Sequence, residues 1–126
     1  MQYLHYISFQ TSTLLSNLNH TWTYGESWYE SDGNIRITNN GYLEPLPAYS
    51  TPHIPQYELF DWLLNLNIFV EVKPIDDWDH WTYTVLLDGR PLHPFIEIKS
   101  PLEVEFDSYY DAMEAGLQVA LTNLKQ

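Results

Sequence analysis

Phe106-Asp107-Ser108-Tyr109-Tyr110-Asp111-Ala112-Met113-Glu114-Ala115-Gly116-Leu117-Gln118-Val119-Ala120-Leu121 decides the fold, because it reads as an amphipathic helix with an unusually small apolar face. Ser108 is placed to cap it, and Asp111 three residues on can return the bond while favouring the positive end of the helix dipole. Ala112, Gly116 and Ala120 fall four apart on one side, and Met113, Leu117, Leu121 and Leu124 widen the apolar stripe beside them. A mid-helix glycine costs about 1 kcal/mol relative to alanine, so Gly116 is expected where the helix backbone meets a neighbour closely. The small face predicts a helix pressed onto a sheet.

That sheet is expected upstream. Ile68-Phe69-Val70-Glu71-Val72-Lys73 is a β-branched run with Ile68, Val70 and Val72 on one face, and Pro74 is expected to end it. Trp81-Thr82-Tyr83-Thr84-Val85-Leu86-Leu87 predicts a second strand with Trp81, Tyr83, Val85 and Leu87 on one face, and Asp88-Gly89 is a hairpin signal. Residues 95–99 predict a third strand, at an edge because Pro91, Pro94 and Pro101 flank it; residues 102–106 extend it or add a fourth. Ahead of the strands, Pro55 suits the first turn of a helix in which Leu59, Trp62, Leu63 and Leu66 repeat at buried-stripe spacing, with Asn67 to end it. The expected fold class is α+β, with a core module over residues 55–126 built as a helix, a three- or four-stranded antiparallel sheet and a helix.

The N-terminal half reads differently. Residues 3–9 suggest a short strand, while residues 12–18 are too short and too rich in Ser, Thr and Asn to assign. Trp22, Tyr24, Trp28 and Tyr29 then lead into Ser31-Asp32-Gly33-Asn34, Ile35-Arg36-Ile37-Thr38, Asn39-Asn40-Gly41 and Tyr42-Leu43. Asp-Gly and Asn-Gly supply the positive φ angles of tight turns, so residues 1–44 are expected to be a β-rich extension, a meander that packs on the core. Pro45, Pro47 and Pro52 lack amide donors and hold their predecessors extended, which makes residues 45–54 a proline-rich connector.

Charge narrows the function. The chain of 126 residues has 17 acidic and 5 basic side chains, for a net charge of −12. Arg36, Lys73, Arg90, Lys99 and Lys125 form no run, so direct binding to nucleic acid or to an anionic membrane is disfavoured. Residues 1–54 hold only Glu26, Glu30, Asp32 and Glu44 among the acids, so the C-terminal module carries most of the field and would steer a basic partner toward itself. Ten Tyr and five Trp argue against disorder and suit faces where a ring is buried and a polar edge is presented. There is no cysteine, and hence no disulfide, thiolate metal site or cysteine nucleophile. Met1-Gln2-Tyr3-Leu4-His5-Tyr6 lacks the pattern of a secretory leader, and no segment reaches membrane-spanning length, so a cytoplasmic location is expected.

Catalytic and cofactor signatures are not found in the sequence. The five glycines form no phosphate-binding loop or nucleophile elbow, and His5, His20, His53, His80 and His93 are scattered, without zinc-ligand spacing. No cofactor, metal or catalytic residue is therefore assigned, although carboxylates or histidines assembled in space would leave no sequence trace. The densest constellation is Asp76-Asp77-Trp78-Asp79-His80-Trp81, the candidate partner-binding loop. Its carboxylates suit a basic partner and its indoles can stack on a sugar, base or guanidinium, but it fails the calcium-loop pattern, with Trp81 where an oxygen ligand is needed. The bland reading is a solvated hairpin loop. Trp22, Trp28 and Tyr29 are the candidate surface aromatics.

Ile54-Pro55-Gln56-Tyr57-Glu58-Leu59-Phe60-Asp61-Trp62-Leu63, Phe69-Val70-Glu71-Val72, and Phe106-Asp107-Ser108-Tyr109 with Ala112, Glu114, Ala115, Gly116 and Leu117 resemble small uncharacterised proteins of phages and integrated elements of gut Bacteroidetes. The resemblance spans roughly residues 54–124 and implies a source and a module, with no activity or functional residues to carry over. The order of elements is also similar to the double-stranded RNA-binding domain, which places lysines at the start of its last helix where this chain has Asp111 and Glu114. The run Ser108-x-x-x-Ala112-x-x-x-Gly116-Leu117 looks like the strand-to-helix junction of HicB-type antitoxins, with no recognisable DNA-binding segment after it. Three readings follow: a non-catalytic protein-interaction module of phage or mobile-element origin with an acidic face; a carbohydrate- or peptide-binding protein using its Trp/Tyr-rich hairpins; and a minor enzyme with a spatially assembled site. A HicB-like antitoxin that binds its partner is a variant of the first, and a second copy of the chain is an alternative partner.

Overall fold

A computed structural model describes residues 5–18, 22–38, 42–75, 80–91 and 105–124. The fold is mixed α+β, with three helices and several antiparallel sheets. Its centre is a hairpin of β6 (Ile68–Ile75) and β7 (His80–Leu87), with α3 (Tyr109–Leu124) lying across it. The register sets Ile68 opposite Leu87, Val70 opposite Val85 and Val72 opposite Tyr83, and the expected alternation puts Ile68, Val70 and Val85 in the core with Val72 and Tyr83 packed against it, while Leu87 at the strand end is exposed. Ala112, Gly116 and Ala120 are all buried. A Cβ on Gly116 would overlap Val70 Cγ1 and reach 3.3 Å from Tyr83 Cδ2, so this glycine does mark the place where helix backbone and sheet touch. Ser108 caps the helix, its Oγ accepting from the Asp111 amide at 3.1 Å.

The turns around the hairpin obey local backbone chemistry. Asp88 and Gly89 both have positive φ, 52° and 80°, and join β7 to β8 (Arg90–Pro91) in the two-residue loop that the Asp-Gly pair predicts. Asn67, at φ 63°, stops the chain after α2 (Gln56–Leu64) and lets β6 start at the next residue. Leu59 and Leu63 of that helix are fully buried and Trp62 is half-buried, but Leu66, expected in the stripe, lies past the helix end and is exposed.

Pro74 does not end β6. It pairs with Trp81 inside the strand. The Asp88 amide bonds Asn67 O at 2.9 Å, and counting alternately from that pair puts Pro74 where its nitrogen faces away from β7. A residue there needs no donor toward its neighbour, which is how an outer strand tolerates proline. The third strand expected at residues 95–99 falls outside the described residues, as does most of 102–106. Phe106 exchanges two backbone hydrogen bonds with Trp81, at 2.9 and 2.8 Å.

The N-terminal half is less purely β than expected. Residues 5–7 are extended and pair with 54–56, with the Ile7 amide bonding Ile54 O at 2.9 Å and the Gln56 amide bonding His5 O at 2.7 Å. The chain then turns into a helix, α1 (Phe9–Ser16), in place of a strand running to residue 9. Ser8 caps it. The next elements are β1 (Tyr24–Gly25), β2 (Ser27–Tyr29), β3 (Ile35–Ile37), β4 (Glu44–Pro45) and β5 (Thr51–Pro52). β2 and β3 form the expected hairpin, with Gly33 at φ 89° in its loop. The third strand of that sheet is β5, from the proline-rich stretch, whereas Tyr42-Leu43 is exposed and β4 pairs with β1. Residues 45–54 thus supply strands as well as a connection, and Ile54 joins Ile7, Leu15, Leu59, Leu63, Val70, Leu117 and Leu121 in one core.

Candidate functional site

The N-terminal half of α3 presents three faces. Ala112, Met113, Gly116 and Leu117 face the core, whereas Asp111, Glu114, Ala115 and Gln118 fall at i, i+3, i+4 and i+7 along another side. With Glu105, Phe106 and Asp107 from the approach to the helix, this second side lines a shallow acidic groove. Tyr109 and Tyr110 make the third face, bordered by the buried Met113. They line a cleft of about 250 Å³ whose other walls are Gln56, Tyr57 and Phe60 of α2 and His5 of the N-terminal strand. His5 stacks on Tyr110 with ring centroids 3.3 Å apart, and Tyr110 meets Tyr109 edge-on at 5.3 Å.

Glu114 joins the groove to the cleft. Its Oε2 accepts from the Ser8 amide at 2.9 Å and from the Thr11 hydroxyl, while its Oε1 accepts from Gln56 Nε2 at 2.8 Å. The carboxylate therefore sits at the start of α1 and beside the start of α2, where the helix dipoles favour negative charge. Gln118 Nε2 donates to Thr11 Oγ1 at 3.0 Å, and Gln56 Nε2 also donates to Tyr110 O at 3.0 Å. The Tyr29 hydroxyl donates to Ile7 O, and its ionisation is pushed up by burial and then by the negative charge of Glu114. Three helices and a strand meet at one polar knot. The aromatic cleft opens beside it.

The residues singled out in the sequence are distributed otherwise. Asp76, Asp77, Trp78 and Asp79 lie outside the described residues. His80 and Trp81 are half-buried in β7, where Trp81 meets Tyr109 edge-on at 5.7 Å and His80 Nδ1 lies 4.0 Å from Asp107 Oδ1. Trp28 and Tyr29 are not surface aromatics. They are 8% and 7% exposed, because β2 is the central strand of its sheet and alternating polar neighbours did not reveal that it is covered. Trp22 is half-buried as well, edge-on to Trp62 at 5.7 Å. Trp28 and Tyr29 thus belong to the interior, whereas Tyr24 and Tyr42 of the same stretch are exposed, and the exposed aromatic surface beside α3 comes from Tyr57, Tyr109 and Tyr110.

Sequence reasoning missed these residues because they come from three distant segments. The available signal was an aromatic pair three apart on α2, Tyr57 and Phe60, flanking the Leu59 and Leu63 stripe instead of extending it.

One pair has the elements of nucleophile and base. Ser27 Oγ lies 2.6 Å from His53 Nδ1 across the β2–β5 ladder. The imidazole is stacked on Tyr6 at 4.1 Å and edge-on to Tyr29 at 5.1 Å, and burial lowers its pKa, so it is held neutral. Neither residue lines the cleft or the groove, and the pair acts as a cross-strand tie. Among the described residues, no group of three or more histidines and carboxylates is arranged to hold a metal ion, and no helix is long and apolar enough to cross a membrane. Comparison with protein-family models, curated proteins and solved structures finds no match.

Proposed function

We propose that the chain is a non-catalytic protein-interaction module, of phage or mobile-element origin, that works in the cytoplasm and docks a partner with a basic surface on the N-terminal half of α3. The observation that carries this reading is the pairing of an acidic groove with an aromatic cleft on one helix, through Glu114. The carboxylates attract and orient a basic surface, and partly exposed tyrosines are the side chains in which interface centres are enriched. The order α2, β6, β7, β8, α3 supports a topology like that of the double-stranded RNA-binding domain. Its use would differ, because the last helix opens with Asp111 and Glu114 where an RNA backbone requires cations.

Titration calorimetry with an oligolysine peptide tests the reading. Binding is expected at low salt, weakening as salt rises and lost in the double charge reversal Asp107→Lys, Asp111→Lys. Both side chains are exposed, so the variant should fold. Absence of binding at low salt, or binding that ignores the reversal, contradicts it.

A further inference from the structure

We infer that the cleft between α2 and α3 seats an arginine side chain of the partner polypeptide; this rests on the reading of α3 as a docking surface and names what that surface recognises. Gln56 lines the cleft and is 7% exposed. Its amide nitrogen is committed to two acceptors, Tyr110 O at 3.0 Å and Glu114 Oε1 at 2.8 Å. Those two bonds fix which way round the amide sits, because the reverse orientation would set oxygen against oxygen. That makes Oε1 the acceptor end of this lining residue. A carbonyl on a residue that lines an open cleft can accept from a ligand in place of water.

The walls specify the donor. His5, Tyr57, Phe60, Tyr109 and Tyr110 offer aromatic rings, and the described basic residues Arg36, Lys73 and Arg90 are not among the lining residues. Ring faces attract cations, and Glu114 adds negative charge one hydrogen bond behind Gln56. A guanidinium meets both demands: it is planar enough to stack on a tyrosine, carries N–H groups that can reach Oε1, and is less strongly hydrated than an ammonium. About 250 Å³ suits one side-chain end. The acidic groove on the neighbouring face of α3 then holds further positive charge of the same partner.

Oligoarginine, oligolysine and oligocitrulline peptides of equal length, titrated into the full chain, separate the cleft from the charge of the groove. Oligoarginine is expected to bind about fivefold more tightly than oligolysine. The preference should vanish in Tyr57→Ala and persist in Tyr57→Phe, which keeps the ring face; Tyr57 is 58% exposed, so neither change threatens the fold. Tyr49→Ala, an exposed tyrosine away from the cleft, should leave the preference intact. Equal affinity for the two cationic peptides, or a preference that survives Tyr57→Ala, overturns the arginine assignment while leaving groove-dependent oligolysine binding in place. Oligocitrulline binding as tightly as oligoarginine overturns it too, by removing the need for charge. If no peptide binds, both this inference and the reading beneath it fall.

Discussion

The two sides of α3 hold the molecule together by different physics. Against β6 and β7 the contact is dry and tight: Gly116 meets Val70 and Tyr83, and no polar group is needed. Against α1 and α2, whose Leu15, Leu59 and Leu63 share the core with Leu117 and Leu121, the contact adds a hydrogen-bonded carboxylate, Glu114, reached by Ser8, Thr11 and Gln56. The first surface is fixed by shape and leaves nothing to recognise. The second must satisfy polar groups, and in doing so it leaves tyrosines half outside. A seal and the proposed interface can share one helix because its small face is spent on the sheet and its polar face is not.

The sharpest way to break the contrast is to crowd the dry side. Gly116→Leu should destabilise by about 3 kcal/mol or more, because the clash falls on Val70, a stiff β-branched side chain that cannot swing aside. Gly116→Ala should also lower the melting temperature, although alanine favours the helix by about 1 kcal/mol. An unchanged melting temperature in either variant would refute the close contact. On the polar side, Glu114→Ala should cost about 2 kcal/mol by stranding the Ser8 and Gln56 donors, and Glu114→Gln should cost less. If both substitutions were neutral, the knot would not be holding α1. Ser108→Ala removes the cap of α3 and should cost about 1 kcal/mol, measured by chemical denaturation.

The smallest effect is a pH dependence. Burial lowers the His53 pKa below the ordinary 6.5, so the folded state disfavours the proton that the unfolded state accepts. Stability is therefore whole above about that pH and falls as the medium is acidified through the lowered value. His53→Gln should flatten the decline of melting temperature on the acid side of neutrality; an identical slope would remove His53 as its source.

The same contrast explains how much of the molecule was legible in the sequence. Dry packing leaves a periodic trace: the small residues of α3, the alternation in β6 and β7, the Asp88-Gly89 turn and the Asn67 stop are all visible locally. The polar side leaves almost none. α1 is rich in Ser and Thr, and the Thr11 hydroxyl bonds a carboxylate on α3 that no local pattern announces. Pro74 misled because its meaning depends on which strand edge it faces. Trp28 and Tyr29 misled because residues that suit a surface also suit a covered strand. The cleft drew on residues 5, 56–60 and 109–113, which only the pairing of residues 5–7 with 54–56 and the packing of α3 bring together.

The claim at the centre is that binding belongs to the polar side of α3 and to no other part of an acidic molecule. Backbone amide chemical shifts followed during titration with oligoarginine test it most directly. The account predicts changes confined to His5, to the first turn of α2 and to residues 105–118, with the β2–β3–β5 sheet unmoved. Shifts spread evenly over the acidic surface, or centred on residues 27–37, would contradict it.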